Sequence, residues 1–113
     1  RDKAEHAKIV ADARAVADAG AFCIVVEGVL EDIATSVTRE VDAPVIGIGA
    51  SAECDGQVLV TDDMLGMFER TPRFVKRYDD LAARIGAAAE TYAAEVRERR
   101  FPTDEQTYRP KKA

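Results

Sequence analysis

Glu27 is the side chain in these 113 residues best placed for acid–base chemistry. It directly follows the apolar run Ala21 to Val26 (AFCIVV), and a carboxylate at the carboxyl end of a parallel strand stands where α/β folds build their sites. Burial there would raise its pKa toward the range useful to a general base. The competing role for Glu27 is plainer: it solvates the strand end or caps the next helix. Gly47, Gly49 and Ala50 in GIGA look like part of a phosphate-cradling loop, but neither the dinucleotide nor the P-loop spacing is completed, so the small residues are read as places of close backbone approach. Glu53, Asp55, Asp62 and Asp63 could be proposed as a hard-cation site. Asp55 setting a turn, with Asp62 or Asp63 in a helix first turn, is the better account of that cluster. His6 has no second His or Cys at ligand spacing and is read as a solvated surface residue. Arg70, Arg73, Lys76 and Arg77 run between Phe68 and Tyr78, where they could grip an anion or form a solvated face.

The elements that must position these residues follow from periodicity. Ile9, Val10, Ala13, Val16 and Ala17 recur at three- and four-residue steps, which predicts an amphipathic helix from Lys3 to Ala19 stopped by Gly20. The β-branched run to Val26 suits a strand covered on both faces. Leu30, Ile33, Ala34, Val37 and Val41 repeat the helical spacing, Asp42 to Pro44 break it, and VIGI (Val45 to Ile48) supplies a second strand. Helix, strand, helix, strand is the alternation of right-handed βαβ units, an α/β fold. About seven residues, Ala50 to Gly56, then precede the apolar run Gln57 to Val60, which leaves no room for a crossover helix. Asp55-Gly56 would suit a hairpin, so local physics leaves the direction of this third strand open. Thr61 or Asp62 can cap a short helical turn through Met64 to Phe68. Leu81, Ile85, Ala88, Tyr92 and Val96 mark a last helix from about Tyr78 to Arg99, and the tail from Pro102 is read as irregular.

Composition narrows the function classes. With 47% hydrophobic and 33% charged residues the chain is globular, and its length fits one domain at most. A net charge of -5 argues against nucleic acid as the main partner. The longest apolar run is far below the roughly 20 residues of a membrane helix, and no leader opens the chain, so no membrane role and a cytoplasmic location are expected. Cys23 and Cys54 lack CxxC spacing and are read as reduced thiols. The chain starts at Arg1 without a methionine and is read as a piece of something longer.

Four blocks in order, GAFCIVVEGV (Gly20 to Val29), PVIGIGA (Pro44 to Ala50), CDGQVLVTDDMLG (Cys54 to Gly66) and FVKRY (Phe74 to Tyr78), together with the tail FPTDEQTY (Phe101 to Tyr108), resemble the ketopantoate hydroxymethyltransferase family over nearly all of the chain. The resemblance implies the carboxyl-terminal part of a (β/α)8 TIM barrel, with Ala21 to Glu27, Val45 to Gly49 and Gln57 to Val60 as its last three strands and the amino-terminal strands absent. It also implies a third strand parallel to the second, since the family joins these two by an abbreviated loop. The implied chemistry is hydroxymethyl transfer from 5,10-methylenetetrahydrofolate to 3-methyl-2-oxobutanoate, giving 2-dehydropantoate in pantothenate synthesis, through a metal-stabilised enolate. On this likeness Glu27 is the base that takes the ketoacid's proton, and Ile48, Val58 and Val60 line an apolar pocket for its two methyl groups. Plain barrel-core packing is the other reading of those three. The family's metal ligands, for an ion that is usually Mg2+, and its other substrate contacts belong to strands this chain does not contain. Gly28 and Ser51 stand where many relatives carry cysteine and glycine. Activity would therefore need the missing amino-terminal segment, and a homo-oligomer, often a decamer, is implied.

Two other readings compete. One is a different enzyme of the phosphoenolpyruvate mutase and isocitrate lyase superfamily, against which CDGQVLV speaks. The other is a non-catalytic α/β segment that assembles through the basic run and last helix, although three strands with open edges make a poor independent fold.

Overall fold

The computed structural model describes residues 3–111. Helix α1 (Lys3–Asp18) leads to β1 (Ile24–Val26), α2 (Glu31–Glu40), β2 (Val45–Gly47), β3 (Gly56–Gln57), a single turn α3 (Thr61–Met64) and the long α4 (Leu81–Arg97). The sheet has the order β1-β2-β3 and is parallel throughout. It is an α/β unit whose core is small: Val10 and Ala13 of α1 and Ile33, Ala34 and Val37 of α2 close over Val26 and Val45. The helices end as the sequence requires. Ala21 and Gly20 donate backbone bonds to Val16 and Ala17, the paired pattern that closes α1 just before β1.

The third strand departs from what a local reading of Asp55-Gly56 suggests. It runs parallel to β2, with Ile46 beside Gly56 and Gly47 beside Gln57, so the hairpin alternative is ruled out. The physical reason is strand length. A strand of three residues rises only about 10 Å, a distance the short loop after β2 easily retraces without a helix. Asp55 fixes the return point: its N–H donates to the Val45 carbonyl at 2.9 Å and its carboxylate accepts from the Val45 N–H at 2.8 Å. Asp55→Ala should therefore lower the stability of the intact protein by about 1–2 kcal/mol, while Asp55→Asn, which keeps the acceptor, recovers most of that in thermal unfolding. An unchanged midpoint for the alanine variant would remove Asp55 from this role.

The strands are shorter than their apolar runs, because Ala21 to Cys23 and Val58 to Val60 lie outside the regular ladder. The expectation of a strand covered on both faces holds for one face only. Val25 is 59% exposed, since α1 and α2 lie on the other side and no described element covers this one. Neither Thr61 nor Asp62 caps α3; the N-cap is Val60, without a side-chain bond. No residue of α4 is buried, and its Ile85, Tyr92 and Val96 stand open. The radius of gyration is 24.4 Å, against about 13 Å for a compact domain of this length. Alone, the chain is drawn out rather than closed around a core. No described helix is long and apolar enough to cross a membrane.

Candidate active site on the open face of the sheet

The last register row of the sheet is Val26, Gly47 and Gln57. One residue further stand Glu27, Ile48 and Val58. Backbone pairing reaches this row: the Ile48 N–H donates to the Val26 carbonyl at 3.2 Å and the Val58 N–H to the Gly47 carbonyl at 2.9 Å. Because side chains alternate along a strand, the row shares a face with Val25 and Ile46, opposite the helices. A carboxylate thus stands at the carboxyl edge of an open apolar face, with Ile48 beside it and Val58 one strand beyond. Neighbouring strands lie about 4.8 Å apart, so the three side chains fit around one small molecule.

Glu27 is exposed here rather than partly buried, for the same reason that Val25 is: nothing in the described chain lies over this face. Ile48 is half-buried, whereas Val58 is 49% and Val60 54% exposed. Val60 is less well placed than the other two, since it already belongs to the turn that starts α3.

The loop after β2 is held by residues that motif reading passed over. Gln57 donates from its amide to the carbonyls of Gly49 and Ser51, both at 3.0 Å. Buried Ser51 accepts from the Glu53 N–H at 3.1 Å, and its hydroxyl meets that of Thr35 at 2.9 Å. These bonds are the physical content of the GIGAS and CDGQ blocks: the loop is tied to the helix side, leaving the other face clear. Gly49 has φ +65°, and a Cβ there would lie 2.7 Å from Cβ of Phe74. The glycine is needed because the Phe74 segment packs against the loop at that point.

Other candidate residues do not join this row. His6 is not a solvated surface histidine; it bridges α1 to α2, with Nε2 3.1 Å from the Ser36 hydroxyl and Nδ1 3.8 Å from the Asp32 carboxylate. The trio resembles a nucleophile–base–acid array, but Ser36 spends its proton on the Asp32 carbonyl at 2.8 Å. Nε2 must then be the donor to Ser36, which makes this a helix–helix tie with no free base. Glu53 pairs with Arg39 at 2.7 Å, Asp55 is committed to Val45, and Asp62 and Asp63 occupy the first turn of α3. Among the described residues no three His, Cys, Asp or Glu side chains stand close enough to hold a metal ion. Arg77 donates to the carbonyls of Phe68 and Glu69, and Lys76 lies 5.0 Å over the Tyr78 ring. Cys23 and Cys54 are free thiols. The Asp79 carboxyl is held below its usual 3.8 by the Asp80 N–H, desolvation opposes this, and Arg84 adds to the lowering. It straps the start of α4 and is no part of the row around Glu27.

Comparison with known proteins finds one family along nearly the whole chain. The family model for ketopantoate hydroxymethyltransferase matches residues 1–104. A protein of Novosphingobium aromaticivorans named 3-methyl-2-oxobutanoate hydroxymethyltransferase is 68% identical over 111 residues, which is 98% of this chain and 38% of that protein. One of the same name from Erythrobacter litoralis is 68% identical with the same coverage, and one from Hyphomonas neptunium 61% identical over 96% of this chain and 39% of its own length. The chain therefore spans somewhat under two fifths of the length of these relatives. With a family match that includes all three strands and both neighbouring loops, the chain belongs to the ketopantoate hydroxymethyltransferase family.

Proposed function

We propose that this chain is the carboxyl-terminal part of an enzyme that transfers a hydroxymethyl group from 5,10-methylenetetrahydrofolate to 3-methyl-2-oxobutanoate, giving 2-dehydropantoate. The observation that carries the proposal is the identity of up to 68% along 98% of the chain to proteins named 3-methyl-2-oxobutanoate hydroxymethyltransferase. The three parallel strands would be the last of a (β/α)8 barrel, and the open face of Val25, Ile46 and Glu27 its interior. In such barrels the carboxyl ends of the strands carry the chemistry, and that is the end at which Glu27, Ile48 and Val58 stand.

On this reading Glu27 takes the proton from C3 of the ketoacid. The carbanion equivalent left at C3 forms a carbon–carbon bond with the methylene carbon of the folate while a carbon–nitrogen bond of the folate breaks. Water then displaces the remaining folate nitrogen from that carbon, supplying the hydroxyl oxygen, while the two freed nitrogens take up protons and tetrahydrofolate leaves. Ile48 and Val58, with Val60 further out, would receive the two methyl groups, as branched side chains on adjacent strands can. The described residues offer no ligand set for the Mg2+ of the family resemblance, so on this proposal its ligands lie beyond this chain. We place the reaction in the cytoplasm, in a homo-oligomer; the open stripe of α4 supplies surface for the rest of the barrel or for a second subunit to cover.

The test is product formation by the full-length enzyme carrying these residues. With 3-methyl-2-oxobutanoate and 5,10-methylenetetrahydrofolate it should form 2-dehydropantoate, seen by mass spectrometry. Ile48→Ala should raise KM for the ketoacid about tenfold, with little change in kcat, the size expected when a pocket is short of the methyl groups that fill it. Turnover of a phosphoenolpyruvate- or isocitrate-type substrate in place of the ketoacid would overturn the reading.

A further inference from the structure

Ile48 and Val58, the two side chains proposed to receive the ketoacid's methyl groups, stand just past the end of the regular ladder. The last register pair between β2 and β3 is Gly47 with Gln57, and Ile48 and Val58 follow it, one on each strand. At that height a backbone bond crosses between the strands from the Val58 N–H to the Gly47 carbonyl at 2.9 Å. The Gln57 side chain adds two more ties. Its amide nitrogen donates to the carbonyls of Gly49 and Ser51, both at 3.0 Å. Gly49 follows Ile48 in the chain and Gln57 precedes Val58, so these bonds join the residues next to both walls of the pocket.

The chemistry at this point calls for an amide nitrogen. Two carbonyl oxygens converge on one side chain, and a neutral NH2 group has a hydrogen for each. A carboxylate of the same length would turn lone pairs toward both. Gly49 has φ +65° and Ala50 φ +61°, so the chain takes two left-handed steps directly after Ile48. An alanine keeps that conformation only where its surroundings hold it there. Gln57 grips the carbonyls of the residues on either side of Ala50. Gly47 supplies the space for the grip: a Cβ there would lie 2.7 Å from Gln57 Nε2 and 2.7 Å from the Gly49 carbonyl oxygen, too close to donor and acceptor alike. Ser51 carries the tie on to α2, its hydroxyl 2.9 Å from that of Thr35, so the loop is anchored to the helix layer as well as to β3.

We infer that Gln57 is a positioning residue for the methyl pocket: its two amide bonds fix the turn after Ile48 and so set the gap between Ile48 and Val58 that the branched carbon of the ketoacid enters. Gln57 acts from the helix side of the sheet, behind the row that faces the ketoacid. The inference rests on the proposed function above, in which Ile48 and Val58 receive the two methyl groups. That gap separates a ketoacid with two methyl groups on C3 from one with a single methyl, a distinction that a fitted apolar pocket makes by about tenfold or more.

Competition between 3-methyl-2-oxobutanoate and 2-oxobutanoate on the full-length enzyme tests it, with 5,10-methylenetetrahydrofolate as donor and the two hydroxymethyl products resolved by mass spectrometry. The product ratio gives the ratio of the two kcat/KM values, and because both ketoacids meet the same enzyme, any loss of folded protein cancels. The parent should prefer the branched ketoacid by about tenfold or more. Gln57→Met, of similar reach but without a donor, should bring the two to within about threefold, through a raised KM for the branched ketoacid with kcat little changed. Gln57→Glu should do the same despite its nearly identical shape. Gly47→Ala should reproduce the shift from the other strand, and the double variant of Gly47→Ala with Gln57→Met should go no further than either alone, since each breaks the same bonds. Should the methionine variant yield no folded enzyme, Gln57→Asn, one methylene too short to reach both carbonyls, should show the shift in its place. A ratio unchanged in the Gln57 variants, even with both rates lowered by a common factor, makes the bonds merely structural and overturns the inference. A parent with no preference overturns it by removing the methyl pocket, and leaves the transfer reaction in place. A parent that forms neither product overturns the proposed function itself.

Discussion

Glu27→Gln in the full-length enzyme is expected to lower kcat about a thousandfold while ketoacid binding persists. Glutamine keeps the size and shape of the side chain but cannot accept the C3 proton at neutral pH, so the loss falls on the transition state rather than the ground state. A thousandfold corresponds to about 4 kcal/mol of activation free energy, within what a positioned general base contributes. The position of Glu27 supports the role. It is the charged member of a row otherwise made of Ile48 and Val58, at the carboxyl edge of the face opposite the helices. Exchange of the ketoacid's C3 proton with deuterated solvent, followed by NMR, should be lost in step with turnover. Variant turnover within tenfold of the parent would take Glu27 out of the mechanism and leave it as a solvating residue at a strand end.

The same row shows what sequence can and cannot reveal. The AFCIVV and VIGI runs place two strands because β-branched residues without polar interruption have few other uses, and Glu27 is conspicuous by ending the first of them. The direction of the third strand is open to local reasoning, since Asp55-Gly56 obeys hairpin chemistry as well as it obeys a tight parallel return. What decides is a pair of bonds between Asp55 and Val45, partners ten residues apart that no periodicity connects. His6 escapes for a similar reason. Its sequence neighbours Glu5 and Lys8 are exposed, but His6 stands one turn before buried Val10, on the face of α1 that packs on α2, where it meets Ser36 and Asp32. Gln57 and Ser51 carry no signal as isolated residues; their work is visible only once the loop curls back over them. The exposure of Val25, Glu27 and Val58 reads the other way: the apolar pattern is legible, but no described element covers that face.

Gly66→Ala should be among the most damaging single substitutions in the chain, costing about 2–5 kcal/mol and lowering the melting temperature of the full-length enzyme by about 10 °C. Two costs add. Gly66 has φ +75°, where a Cβ is strained whatever the space around it, and that Cβ would stand 2.2 Å from the Asp79 carbonyl oxygen and 2.9 Å from the Asp80 Cα. Both obstacles are backbone, so no rotamer change relieves them, and the segment that moves is the one that starts α4 and carries Tyr78. Gly66 also accepts from the Ala82 N–H at 3.2 Å, so the displacement would break the strap it belongs to. Gly86, in the middle of α4, supplies the contrast: nothing lies within 4 Å of its missing Cβ. Gly86→Ala should stabilise by up to about 1 kcal/mol through helix propensity alone. If Gly66→Ala melts with the parent, the strap does not hold the start of α4. If Gly86→Ala destabilises instead, a neighbour from the rest of the barrel or from another subunit packs directly against α4 at that turn, and the open stripe of Ile85, Tyr92 and Val96 is the surface that neighbour covers.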